Sequence, residues 1–248
     1  MTVESGGQVL IIDAGTGILQ LENELRKTYP DYPQGLPYSP SILISHLHID
    51  HIIGLSTFEP VMHKNSQLSI FTCSRDDRPL KEQIFGIFKP PYWPISIDKL
   101  TTAQCIAVKQ DIPFVIGHFT VTAFDTDHPD TTLSFHITDG RKTIVYLLDS
   151  EVATMNPKEY KKMLDYCRGA DLVVFDATYS PEDYPKCKSW GHSTIEDGVR
   201  LADNSGCKRI LFSHFSQAYG DGELELWKRR LADESRFMLA SDGFEFTL

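Results

Sequence analysis

Short apolar runs of strand length alternate along this chain with stretches whose apolar residues recur at helical spacing. An apolar run of roughly four to eight residues bounded by turn residues reads as a buried strand, and recurrence at i, i+3, i+4 and i+7 reads as an amphipathic helix. Gln8 to Asp13 (QVLIID) is the first such run, and Ala14-Gly15-Thr16-Gly17 ends it. Ile18 to Lys27 predicts a helix with Ile18, Leu21 and Leu25 on one side. Residues 28–40 carry four prolines and predict a loop. Ser41 to Ser45 (SILIS) and Leu68 to Cys73 predict further strands. Residues 78–88 predict a helix. Lys89-Pro90-Pro91-Tyr92-Trp93-Pro94 predicts an irregular aromatic loop, because proline cannot donate the helical hydrogen bond.

Strand-like runs follow near 103–108, 114–125, 132–138 and 143–149. Pro157 to Cys167 predicts a helix, and Asp171 to Asp176 (DLVVFD) a buried strand ending in a carboxylate. Thr194 to Asn204 predicts a helix capped by Ser193 or Thr194, with Glu196 and Asp197 in its first turn. Arg209 to Ser213 (RILFS) predicts a strand running into His214, Glu223 to Ala232 a helix, and Arg236 to Ala240 a last strand. No linker, low-complexity tract or short-period repeat interrupts the pattern. Two strand-rich halves, each with helices, predict one α/β domain spanning residues 1–248, with two sheets packed face to face and helices outside. The first strand of such a fold is expected to be short or absent, because few residues precede QVLIID. Either the sheet edge is abbreviated there or N-terminal residues are missing.

Composition narrows the function. Hydrophobic residues make up 41% and charged residues 23%, ordinary values for a globular protein. The formal net charge of −10 argues against a large nucleic-acid partner, which usually requires a basic face. A small anionic substrate held by metal ions needs no such face. Cysteines at 73, 105, 167, 187 and 207 are odd in number and show no C-x-x-C spacing, which predicts reduced thiols in a cytoplasmic protein. No signal-peptide pattern opens the chain, and no apolar run is long enough to cross a bilayer.

The chemistry concentrates in His46-Leu47-His48-Ile49-Asp50-His51, directly after the predicted strand 41–45. Alternate residues of an extended segment point the same way, so His46 and His48 can reach one ion together. Asp50 and His51, past the bend, can face a second ion about 3.5–4 Å away, the usual separation in two-metal hydrolytic sites. Imidazole and carboxylate donors suit zinc first, and also manganese or iron. Three histidines and one aspartate within six residues, left without ligands, would crowd several polar groups at a buried strand end at considerable cost.

This stretch resembles the H-x-H-x-D-H signature of the metallo-β-lactamase superfamily, and the resemblance extends along nearly the whole chain. Asp13 in IIDAGTG is similar to the family's early Asp-x-Gly turn, which supports the metal loop. His128 in TDHPD, Asp149 in VYLLDS and His214 in LFSHFS follow in the family's order. The resemblance implies a four-layer αββα fold and a dinuclear centre. It implies His46, His48 and His128 around one divalent metal ion, Asp50, His51 and His214 around the other, and Asp149 bridging them.

Three further segments are similar to the ribonuclease Z branch: Asp176-Ala177-Thr178, Gly191-His192-Ser193-Thr194, and His214-Phe215-Ser216-Gln217-Ala218-Tyr219. They imply a phosphodiesterase with His192 as proton donor to the leaving oxygen, Asp176 orienting it, and Asp50 accepting a proton from the attacking water. Departures stand beside the likeness. Asp176 replaces the branch's Glu, Ala218 replaces its Arg, and no long basic arm for gripping tRNA is evident. A small phosphodiester, such as a cyclic or short nucleotide, is therefore the expected substrate. Tyr92 and Trp93 are candidate substrate-wall residues, since aromatic rings stack on nucleobases. The alternatives are a superfamily hydrolase of a lactone, thioester or β-lactam, and a di-iron redox or sensor protein. Relatives are often dimers, so a homodimer stays open.

Overall fold

The computed structural model describes every residue except 37, 38, 232 and 234. Two positions of the predicted loop 28–40 and the predicted helix end at Ala232 therefore lie outside the described residues. The chain divides into two compact units, Met1–Ile112 with Ile116–His118, and Pro113–Val115 with Phe119–Leu248.

The first unit holds a five-stranded mixed sheet. Strand β1 (Thr2–Ser5) is present and four residues long. It pairs antiparallel with β2 (Gln8–Ile12) through Gly6 and Gly7, whose φ of 58° and 75° make the two-residue turn. Helix α1 (Ile18–Thr28) follows and buries Ile18 and Leu25, one side of the predicted stripe. Strands β3 (Ser41–Leu43), β4 (Ser69–Thr72) and β5 (Gln104–Ala107) continue the sheet in parallel. Helices α2 (Ile49–Ile52), α3 (Glu59–Met62), α4 (Leu80–Phe85) and α5 (Ile97–Leu100) are short. Ile11, Ile42, Ile70, Leu55, Phe58 and Phe85 belong to the core of this unit.

The second unit is built on a seven-stranded sheet. The predicted strand 114–125 is two strands, β6 (Phe114–Ile116) and β7 (Phe119–Asp125), because Gly117 takes a φ of 55° and turns the chain. β7, β8 (Leu133–Thr138) and β9 (Thr143–Leu147) are antiparallel neighbours. Helix α6 (Pro157–Cys167) has the predicted bounds, set by an Asn156–Glu159 capping box and Pro157 in its first turn. β10 (Leu172–Asp176), β11 (Ile210–Ser213) and β12 (Phe237–Leu239) run parallel to β9.

Helix α7 (Ile195–Ser205) starts at Thr194, which forms a capping box with Asp197. Gly198 lets it lie close over the sheet: a Cβ there would stand 2.4 Å from Phe212 and 2.8 Å from Phe175. Helix α8 (Asp221–Arg230) begins two residues before the predicted start, since Gly220 donates to Glu223 at 3.0 Å and closes the first turn. Among the described residues no helix is long and apolar enough to cross a membrane.

Asp171 pins the edge where β10 begins. Its carboxylate accepts from Thr143 N at 2.9 Å and Lys208 Nζ at 2.7 Å. The Lys208 hydrogen bond, reinforced by that of Thr143, holds the buried carboxyl below its ordinary value. A depressed folded-state pKa contributes stability above the unfolded value of about 3.9, lost as pH falls through the folded value. Asp171→Asn is thus expected to lower Tm at pH 7, the gap to wild type closing as pH drops below about 4. Thermal melts across pH test this, and a gap that is constant with pH would contradict it.

Candidate metal centre

In the first unit the cluster hangs between the ends of β2 and β3. Asp13 N donates to Leu43 O at 2.8 Å, Ala14 N to His51 O at 2.7 Å, and Gly54 N to Ala14 O at 2.8 Å. Gly54 permits this approach, since a Cβ there would lie 2.4 Å from Gly15 O. Asp13 sits at the centre. Its buried carboxylate accepts from Ser45 N at 2.7 Å and Ser45 Oγ at 2.9 Å, and lies 2.8 Å from His51 Nδ1. Ser45 Oγ is also 3.1 Å from His46 Nδ1. The His46 ring centroid is 4.3 Å from that of His48 and 4.2 Å from that of His51. Asp50 and His51 share the single turn of α2, with Asp50 Oδ2 3.3 Å from His51 Nε2.

The second unit carries its own cluster at the carboxyl ends of parallel strands, where open α/β sheets gather functional groups. Register places Phe175 opposite Leu147 and Asp176 opposite Ser213. Asp149, Asp176 and His214 therefore leave neighbouring strands at one edge. His192 Nδ1 lies 2.8 Å from Asp176 Oδ2 and 3.9 Å from Asp149 Oδ1. His214 Nε2 is 3.7 Å from Asp149 Oδ2, and its ring stacks on His192 at 5.2 Å. Ligand atoms of His128, Asp149 and His192 lie within 4.8 Å of one another, as do those of Asp176, His192 and His214.

Both clusters fit metal binding by the same device. A metal-ligating imidazole engages an outer partner through one nitrogen and offers the other to the ion. Nδ1 faces the outer partner in four of the histidines: Ser45 for His46, Asp13 for His51, Thr132 at 2.9 Å for His128, and Thr178 at 3.0 Å for His214. Nε2 is then the nitrogen presented to an ion.

The residue-level pattern agrees with comparison to known proteins. The sequence profile of the beta-lactamase superfamily domain matches residues 8–215. The chain belongs to that superfamily. A ribonuclease Z of Bradyrhizobium sp. (strain ORS 278) is 24% identical, the match taking in 100% of this chain and 93% of the relative. The probable metallo-hydrolase YhfI of Bacillus subtilis (strain 168) is 26% identical over 85% of this chain and 77% of the relative. The crystal structure of YhfI, a metallo-beta-lactamase fold protein, superposes with a TM-score of 0.70 at 23% identity, covering 98% of this chain and 89% of YhfI. A diphosphatase of the PhnP family superposes at 0.68 with 18% identity, covering 100% of this chain and 83% of that structure. The expected metallo-β-lactamase fold class, with two mixed sheets and helices, is what this superfamily member has.

Backbone strain gathers at the clusters of this superfamily member. Asp13, Asp149 and His214 take φ of 56°, 51° and 63°, in the left-handed region that side chains avoid. Such residues persist only where surrounding bonds over-determine them, and they collect at functional sites. Gly191 is a related constraint: at φ 90°, a Cβ would meet His128 Cδ2 at 2.1 Å. Gly191→Ala is expected to lower Tm by roughly 5–10 °C, since it adds left-handed strain to a clash with the His128 ring. A melt unchanged from wild type would show that the loop opens freely there.

Tyr92 is 83% exposed, while Trp93 packs edge-on to Phe88 of the first core at 6.3 Å. Tyr179 stands 5.8 Å from the His192 ring and also walls a cleft of about 430 Å³ lined by residues of α7 and α8, including Ile195, Val199 and Trp227. Ser45 and Thr132, which bond the Nδ1 atoms of His46 and His128, are contacts that sequence reasoning missed. Serine and threonine are common in any chain, and no spacing rule links these two to their partners.

Proposed function

We propose that this chain is a dinuclear metal-dependent phosphodiesterase acting on a small phosphodiester such as a cyclic or short nucleotide. In this reading His46, His48 and His128 would hold one divalent ion, Asp50, His51 and His214 would hold the other, and Asp149 would serve both, with zinc the favoured metal. When bound, the ions supply positive charge against the phosphate and acidify a water. The chain's own groups do the rest. Asp50 accepts the proton of the attacking water. His192 donates a proton to the leaving oxygen, and Asp176 holds its ring in place.

The observation that carries the reading is the His192–Asp176 pair beside Asp149. Asp176 is fully buried, and its Oδ1 accepts from Thr178 N at 2.9 Å and Ser193 N at 3.2 Å, so the carboxylate has one orientation. Its Oδ2 is left to face His192 at 2.8 Å. A histidine oriented by a fixed carboxylate is the arrangement of a general acid or base. The net charge of −10 and Ala218 in place of an arginine favour a small substrate over pre-tRNA.

The test is a substrate panel on protein loaded with zinc or manganese. It sets bis-p-nitrophenyl phosphate and cyclic and linear nucleotides against nitrocefin and acyl-homoserine lactones. Turnover of phosphodiesters is the expected result. Turnover of the acyl substrates alone would replace this reading with the acyl-hydrolase alternative.

A further inference from the structure

Glu151 is a buried carboxylate, 1% exposed, two residues beyond Asp149. Its Oε1 accepts from Tyr184 Oη at 2.6 Å and Ser189 N at 2.7 Å, and its Oε2 accepts from Gly191 N at 2.8 Å. All three donors lie on the segment that runs into His192. The Glu151 backbone N–H donates to Asp127 O at 2.8 Å, next to His128. Ser193 completes the join: its Oγ donates to Ser150 O at 2.5 Å and accepts from Val152 N at 3.0 Å. One short segment, Asp149 to Val152, therefore ties together the strand end that carries Asp149, the turn that carries His128 and the loop that carries His192.

Burying a carboxylate costs several kcal/mol unless its oxygens are well supplied with donors. The three donors here are a phenol and two backbone amides, and hydrogen bonds to a charged acceptor are the strong kind. Burial and Glu151 together push the Tyr184 hydroxyl well above its ordinary pKa, so it stays protonated as a donor. The anchored segment needs an anchor. Ser189 takes φ 69°, and Gly191 takes φ 90° against the His128 ring. Both depart from conformations the chain would adopt unaided.

We infer that Glu151 is a positioning residue, whose buried carboxylate holds the loop 184–191 so that His192 stays on Asp176 beside His128. Loss of the anchor lets the loop relax and His192 swing away from Asp176. The inference rests on the reading of His192 given above, and its test separates the two.

The test is Glu151→Gln in the full-length, metal-loaded protein, with Tyr184→Phe as a milder variant that removes one donor and keeps the ring. The amide of glutamine turns an N–H toward one of the three donors and breaks that contact. Three results are expected. Amide exchange across residues 185–193 rises, and the Nδ1–H resonance of His192 shifts or broadens. Metal content is unchanged. On bis-p-nitrophenyl phosphate kcat falls roughly 10–100-fold with KM little altered, the signature of a displaced catalytic group. Should Glu151→Gln fail to fold, Tyr184→Phe carries the same readouts at smaller amplitude.

Unchanged exchange and an unchanged His192 resonance in a folded variant would overturn the inference. So would a fall in metal content with the loop undisturbed, which would place the effect on Asp149. If the loop loosens as expected but wild type hydrolyses no phosphodiester, the positioning role stands and the proposed reaction fails.

Discussion

Replacing His192 with alanine is expected to lower kcat on a phosphodiester 10²–10⁴-fold while leaving the metal content intact. The expectation comes from the division of labour in the second unit. His214 reaches outward through Nδ1 to Thr178 and presents Nε2 toward Asp149. His192 spends Nδ1 on the Asp176 carboxylate at 2.8 Å, as His51 does on Asp13, so the proton-carrier role rests on the function proposed above and metal content is the readout that separates donor from ligand. Asp176→Asn should share most of the loss, because an amide cannot both keep its bonds from Thr178 and Ser193 and accept from the His192 ring as a carboxylate does. Metal analysis and single-turnover kinetics on both variants check this. A loss of metal in His192→Ala would make His192 a ligand, a role its closeness to His128 and Asp149 would permit. Full activity would remove it from the mechanism.

His48→Ala is expected to lose metal and activity together, by several orders of magnitude in turnover. His48 stands at the start of α2, its ring 4.3 Å from His46. The two neighbouring histidines cannot replace its nitrogen without leaving their own partners: His51 is held by Asp13, and His46 by Ser45. Removing a ligand differs from removing a support. Asp13→Ala leaves every ligand in place and should cost only about 10–100-fold in metal affinity, since outer partners tune ligands without replacing them. Metal titrations of the two variants separate these cases. Equal affinities would mean that His48 contributes no bond.

Much of the architecture was legible in the chain. The buried strands at 8–12, 41–43, 172–176 and 210–213 announce themselves as runs of aliphatic residues. Asn156 with Glu159, and Thr194 with Asp197, announce helix starts because capping is a local exchange of hydrogen bonds. Strand β1 was harder to read: TVES is polar, half-exposed and defined by pairing across Gly6-Gly7. The break at Gly117 was missed because apolar residues flank it on both sides and only its backbone angle interrupts the run. Short helices such as α3 and α5 carry too few residues for a period to show.

By itself the sequence determined the superfamily and singled out the histidines and aspartates proposed to bear the chemistry. Those residue types at that spacing follow a strand end for chemical reasons, and they can be read one after another. What only the tertiary structure decided is which nitrogen of each ring faces outward, and what holds it. Asp13 meets His51 across 38 positions, Thr178 meets His214 across 36, and Glu151 meets Gly191 across 40. Such pairs form because parallel strands in register bring distant chain segments to one edge. A buried carboxylate or hydroxyl there takes whichever donor the fold delivers.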